Sequence, residues 1–246
     1  MDKILALWAV PRSTSTAFEC MMRERGDFWV FDEPFGLSYY YSEQRRNTTR
    51  YPDIQPNPEY NFSSILTWLK QASQKQPVFM KDMAYYVPHL AGNADFLSHF
   101  HHTFLIRHPA KSLPSLFARW PDFTLEEAGY AELYTLFQQV RENSGTVPIL
   151  IDSDDLVAKP IATVKAYCNA VGIPFIQEAL SWNSRVRPDI NQWEGGWHTY
   201  VQSSRGFQER KDKKYTNIQG NAHLERAYEF CLPYYHKLYQ CRLSVE

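Results

Sequence analysis

The stretch Leu5–Arg25, LALWAVPRSTSTAFECMMRER, decides how the rest of the chain is read. Leu5 to Val10 is an apolar run long enough for a strand buried on both faces, and Pro11, which lacks an N–H, ends the ladder. Arg12, Ser13, Thr14, Ser15 and Thr16 follow, each able to hydrogen-bond an anion. Phe18, Met21 and Met22 then recur at helical spacing, with Gly26 placed to stop the helix. Strand, polar turn and helix in this order aim unpaired N–H groups and the positive end of a helix dipole at one point. Hydroxyls and a guanidinium at that point make a phosphate or sulfate site. A helix cap needs one hydroxyl, and this turn has four and an arginine in five positions. A nucleotide loop of the form GxxxxGK[ST] does not fit, because on Ala9–Thr16 only Thr16 matches it.

Working outward, apolar runs at Phe28–Phe31, Pro77–Met80, His102–Ile106 and Val147–Ile151 read as further strands. Helical spacing lies between them. Ile65, Leu66, Leu69 and Ala72 mark one helix, Pro88–Phe100 a second, and Ser112–Trp120 a third with Pro114 in its first turn. The capping box Thr124/Glu127 opens a helix from Leu125 to Asn143. Pro160 opens another, which Gly172 closes, and Ala222–Gln240 is a last helix interrupted by Pro233. Strands alternating with helices predict an α/β fold, a three-layer sandwich around a parallel sheet of about five strands, as one domain over residues 1–246. Gly36–Tyr60 has no usable period and is rich in tyrosine, which points to a lid or substrate wall. The polar, basic stretch from Asn183 to Gly220, with the helix after it, is expected to close over the ligand.

In parallel sheets of this kind ligands sit at the carboxyl ends of the strands. Arg12 with its hydroxyls, Asp32-Glu33, Lys81-Asp82 and Arg107 all fall there, and the second strand is expected to end beside the first. Together they suit a polyanionic ligand. Composition narrows the alternatives. A formal charge of −1 argues against wholesale nucleic-acid binding. The four cysteines form no CxxC pair and sit at apolar positions, as buried thiols of a reducing compartment do. No apolar run approaches the ~18 residues a membrane span needs, and no signal-peptide pattern precedes the first strand, so no membrane partner and a cytoplasmic location are expected. His101, His102 and His108 lack partners at metal-ligand spacing, so no metal is expected. The oligomeric state is not legible.

The stretch Leu105–Phe117, LIRHPAKSLPSLF, sets Arg107 at a strand end and Ser115 eight residues on, a spacing that brings guanidinium and hydroxyl to one phosphate. That pair, PRSTST after the first strand, and SDDLVAKP followed by a helix and VGIPF together resemble the sulfotransferases that use 3′-phosphoadenosine 5′-phosphosulfate (PAPS). The Asp-Glu-Pro after the second strand is similar to bacterial sulfotransferase-like proteins. The resemblance implies that Arg12, Ser13, Thr14, Ser15 and Thr16 hold the 5′-phosphosulfate, and that Arg107 and Ser115 hold the 3′-phosphate. It implies that Lys81 neutralises the bridging or sulfuryl oxygens. Ser204, Arg205 and Gly206 would close over the 3′-phosphate, with Arg210 and Lys211 the alternative for that loop. The reaction implied is in-line sulfuryl transfer to a hydroxyl or amine of a small organic acceptor, with 3′-phosphoadenosine 5′-phosphate (PAP) as product.

Three positions depart from the family pattern. Its first-turn glycine is Thr14, a tyrosine often found before the acidic-Asp-Leu segment is Ser153, and its histidine base falls near Met83. Glu33 is therefore the first candidate for the base, with Asp32, Asp82 and His89 as alternatives. Two other readings stay open. One is a P-loop phosphotransferase using Mg-ATP, with Asp152 ending a Walker-B-like strand. The other is a catalytically degenerate nucleotide-binding protein.

Overall fold

Five parallel strands form one sheet in the computed structural model, which describes residues 4–183, 205–208 and 215–245. They are Ile4–Ala9 (β1), Trp29–Asp32 (β2), Val78–Met83 (β3), Phe100–Ile106 (β4) and Ile149–Asp152 (β5), in the order β2-β3-β1-β4-β5. The helices are Ser15–Arg25 (α1), Pro34–Tyr41 (α2), Phe62–Ser73 (α3), Ala94–Ser98 (α4), Pro109–Phe117 (α5), Leu125–Ala128 (α6), Tyr130–Ser144 (α7), Ser153–Ala158 (α8), Pro160–Val171 (α9) and Ala222–Tyr239 (α10). Central β1 is buried along its whole length, which is why its sequence is an unbroken apolar run.

Alternate residues of a strand face opposite layers, and this sorts the core. On one face Phe18 of α1 meets Tyr167 of α9 at 4.9 Å and Phe79 of β3 at 6.2 Å. On the other, Trp8 packs against Phe35 of α2, Phe96 of α4 and Phe100. The buried Trp8 Nε1–H donates to His102 Nδ1 at 2.8 Å, so the His102 proton sits on Nε2, 3.0 Å from Leu97 O. His102 is thus a satisfied core residue.

Several elements differ from the sequence expectation for local reasons. Pro34–Tyr41 is helical where no period is legible, because Pro34, Phe35, Gly36, Tyr39 and Tyr40 are buried and leave no polar stripe. Only the turns after it, up to the short 3₁₀ helix Pro58–Tyr60, match the expected loop. Strand β3 runs on to Met83, so Lys81 and Asp82 lie inside it and not beyond its end. Strand β2 ends beside β3, which separates it from β1. Between Pro88 and Phe100 there is a 3₁₀ turn and the short α4, and Phe100 already belongs to β4. Helix α5 starts at Pro109, which places Pro114 beyond the first turn, and α10 runs through Pro233 unbroken.

The capping box Thr124/Glu127 is present, but Gly129, at φ 77, breaks the expected long helix into α6 and α7. A Cβ on Gly129 would stand 3.3 Å from Pro11 Cδ and 3.4 Å from Tyr85 Cδ1. The missing side chain lets this wall close against the end of β1. Cys20, Cys168 and Cys231 are buried and Cys241 is half-buried, all as free thiols. Among the described residues no helix is long and apolar enough to cross a membrane.

Candidate active site

Among the described residues three that are not glycine have left-handed backbone: Arg12 (φ 62), Thr14 (φ 75) and Glu33 (φ 48). All three follow the carboxyl ends of strands, where a ligand is expected. The conformation costs an L-residue about 1–2 kcal/mol, and such strain gathers at functional sites. In the first turn Ser13 is fully buried and its Oγ has no hydrogen-bond partner. Thr14 makes no side-chain cap on α1, and the first turn of that helix holds no acidic residue. The dipole and amides of α1 are therefore available to an outside anion.

Thr14 Oγ1 instead meets Ser153 Oγ, the first residue of α8, at 2.6 Å. Two of the three positions that depart from the family pattern thus touch each other. Thr14→Gly relieves the left-handed strain while losing this bond, so it is expected to stay within about 1 kcal/mol of the parent. Ser153→Ala is expected to cost about 1 kcal/mol alone and almost nothing in the Thr14→Gly background. Urea denaturation of the four proteins measures this, and strictly additive losses would exclude the coupling.

Arg107 follows β4 and turns back to this loop. Its Nη1 donates to Arg12 O at 2.8 Å, while its Nε is buried without a partner. Its own carbonyl accepts from Tyr130 OH at 2.6 Å, and that hydroxyl lies 2.6 Å from Ser112 Oγ, which fixes the strand end. Ser115 Oγ, on α5, accepts from Arg12 Nε at 3.0 Å and donates to Tyr215 OH at 3.2 Å. Arg12 therefore meets Arg107 and Ser115, which arrive together from the stretch Leu105–Phe117. Tyr215 is a partner that sequence reasoning missed, since nothing local distinguishes it from other tyrosines.

Ser15 and Thr16 open α1 directly after this turn. Arg205 is exposed, and its segment is anchored by Phe207, which packs on Trp182 at 5.5 Å and on Phe18 at 6.5 Å. At Gly206 a Cβ would stand 3.1 Å from Leu180 O, so a glycine suits the approach. Ser203, Ser204, Arg210 and Lys211 lie outside the described residues.

The sequence reading sets Lys81 against the sulfuryl oxygens, but the structure gives its ammonium other partners. Lys81 is 0% exposed and pairs with Asp32, with Glu33 Oε1 at 2.6 Å and with Glu19 Oε2 at 3.7 Å. The cause is its place within β3 on the face that α1 covers. Burial opposes the charge on Lys81, yet Asp32, Glu33 and Glu19 outweigh it and raise its pKa. Burial, then the Asp32 charge, pushes the Glu19 carboxyl up to about 8. Burial likewise raises Glu33, with Lys81 opposing and Asp32 adding.

Among the candidate bases the surroundings differ. Asp82 is on the opposite face and fully buried, accepting from the backbone N–H of Phe35 at 2.8 Å and Met83 at 3.0 Å. His89 is half-buried in a 3₁₀ turn against Phe62, and burial lowers its pKa. Asp32 is buried on Lys81, with its side chain 1% exposed, whereas that of Glu33 is 11% exposed. Glu33 is the least buried carboxylate of the Lys81 cluster. Asp152, the Mg²⁺ ligand of the phosphotransferase reading, caps α8 through Asp154 N at 2.7 Å and accepts from Tyr235 OH at 3.1 Å.

Above Glu33 stands a wall of phenols. Tyr86 OH donates to Glu33 Oε2 at 2.8 Å, and Tyr85, Tyr40 and Tyr39 pack around it. The turns after α2 are tied to α6, because Arg50 forks onto Glu127 at 2.6 Å for each bond and lies 4.3 Å from the Trp120 ring. The tyrosine-rich stretch is therefore held as a wall beside the rim.

The chain resembles known proteins over most of its length. The family described as Sulfotransferase domain matches residues 2–239. Branched-chain-amino-acid aminotransferase-like protein 2 of Arabidopsis thaliana is 27% identical over 244 residues, 98% of this chain and 42% of that protein. The chain spans about two fifths of the length of the Arabidopsis relatives it matches. Sulfotransferase ppzF of Metarhizium rileyi is 31% identical over 113 residues, 37% of this chain and 33% of that protein. A solved sulfotransferase domain from the curacin biosynthetic pathway superposes with a TM-score of 0.49 at 13% identity, over 94% of this chain and 97% of that one. With the match running from residue 2, just ahead of β1, to Tyr239 at the end of α10, the chain belongs to the Sulfotransferase domain family.

Proposed function

We propose that the chain transfers the sulfuryl group of PAPS to a hydroxyl or amine of a small organic acceptor. The observation that carries this reading is the meeting of Arg12, Arg107 and Ser115 at one turn. Two buried polar atoms without partners, Ser13 Oγ and Arg107 Nε, lie among them and suit a ligand with anionic groups. When bound, the donor supplies a sulfuryl group whose departure from the nucleotide builds negative charge on the bridging oxygen.

Arg12 and the amides at the start of α1 are placed to take up that charge, with Ser13, Thr14, Ser15 and Thr16 around the same group. Arg107 and Ser115, with Arg205 and Gly206 and the undescribed Ser204, hold the 3′ end. Glu33 takes the proton of the acceptor, and Lys81 serves by holding Glu33 from below. One strand separates β2 from β1, which sets Glu33 roughly 10 Å from the first turn at ~4.8 Å per strand and leaves room for an acceptor between them.

Without Mg²⁺, PAP is expected to raise the melting temperature more than ADP does. Stabilisation by Mg-ATP and not by PAP would favour the phosphotransferase reading instead. Arg107→Ala is expected to weaken PAP binding by about 1.5–3 kcal/mol, the range for a charge-assisted hydrogen bond, and to leave ADP nearly unaffected. Titration calorimetry reads both, and equal losses would overturn the 3′-phosphate assignment.

A further inference from the structure

Glu33 is gripped at both oxygens by one short stretch of chain. Lys81 Nζ donates to Oε1 at 2.6 Å and Tyr86 OH donates to Oε2 at 2.8 Å. The backbone does not share this work, since Glu33 at the N-cap of α2 makes no side-chain cap bond. Behind Tyr86 the hydroxyls continue in a line, Tyr85 OH donating to Tyr86 OH at 3.3 Å and lying 3.1 Å from Tyr40 OH. A buried chain of hydroxyls ending on a carboxylate is polarised towards it, each donor strengthening the next.

We infer that Tyr86, backed by Tyr85 and Tyr40, is the positioning residue of Glu33, fixing its carboxylate and holding it in the charged form. The inference rests on the reading of Glu33 as the base only for its catalytic meaning; the contact itself does not depend on it. Lys81 alone does not suffice, because its charge is shared among Glu33, Asp32 and Glu19. The groups facing Glu33 are Asp32 from β2, Lys81 and Asp82 from β3, and Tyr85 and Tyr86 from the turn after it, with Glu19 of α1 on the far side of Lys81. Burial and Asp32 press Glu33 towards its neutral form, and Lys81 and Tyr86 oppose them. A donor to the charged form lowers an acid's pKa, so its removal must raise it.

The test is an infrared titration of the full chain carrying ¹³C-labelled glutamate, with the Glu33 carboxyl band assigned by its loss in Glu33→Gln. In Tyr86→Phe the midpoint of that band is expected to rise by about one pH unit, roughly tenfold in proton affinity. Tyr85→Phe should move it less. Placing 3,5-difluorotyrosine at position 86, a stronger donor of the same shape, should move it down, which keeps the test decisive if Tyr86→Phe folds poorly. An unmoved midpoint in these variants overturns the inference. Turnover of PAPS with phenol as the probe acceptor, which stays protonated at neutral pH, separates the two readings. If the band moves and the acidic limb of the rate profile moves with it, both hold. If the band moves while Glu33→Gln keeps full turnover, Tyr86 still positions Glu33 and the base lies elsewhere.

Discussion

Lys81→Met is expected to lower stability by about 3–5 kcal/mol at neutral pH, the cost of removing one partner from a buried charge cluster. Methionine matches the unbranched lysine side chain up to Cε and lacks the ammonium, so the loss reports charge more than a cavity. The ammonium is the centre on which Glu19, Asp32 and Glu33 converge, with Arg23 also pairing with Glu19, at 2.8 Å. Without it those carboxylates can stay buried only by taking protons. The sign with pH follows. The parent's Glu19, raised from 4.5 to about 8, contributes stability fully present below pH 4.5 and lost as pH climbs through 8. Removing Lys81 pushes all three carboxylates the same way, so the variant should recover part of its loss near pH 5 and fall furthest at pH 8. Urea denaturation at the two pH values measures it. A loss under ~1 kcal/mol at pH 8 would mean that Lys81 does not neutralise the cluster.

Glu33→Gln is expected to reduce turnover by about 10²–10⁴-fold, the usual range for a lost general base, while leaving PAP affinity unchanged. The substitution keeps shape and removes the capacity to accept a proton, together with one of the charges that pair with Lys81. Glu33 joins three properties a base needs: the shallowest burial in its cluster, a raised pKa and a place just after the carboxyl end of a strand. Asp82 has the raised pKa without access, and Asp32 lies deeper on Lys81. PAP release from PAPS with phenol gives the rate, and calorimetry gives the affinity. Full turnover in this variant would pass the role to Asp32 or His89, which Asp32→Asn and His89→Gln would then separate.

The meeting of Arg12, Arg107 and Ser115 was legible in the sequence because its signals are local. PRSTST after an apolar strand forces the turn, and eight residues of spacing carry Ser115 to the same place as Arg107 once β4 lies beside β1. The base half was less so. Charged residues inside a strand look like its end, so Lys81 reads as a rim residue when α1 covers it. Strand order leaves no trace in a linear pattern, so the insertion of β3 between β2 and β1 is invisible until the sheet is seen. Helix α2 hides because a helix buried on more than one side loses its polar stripe. Tyr86 hides among neighbouring tyrosines, and only the third dimension singles out the one whose hydroxyl reaches Glu33.

Gly129 closes a seam. A side chain there would press at once on the proline that ends the first strand and on the Tyr85 ring, and would carry the strain of a left-handed backbone besides. The width of that seam is thus set by a hydrogen atom, and even one added methyl would have to wedge it open.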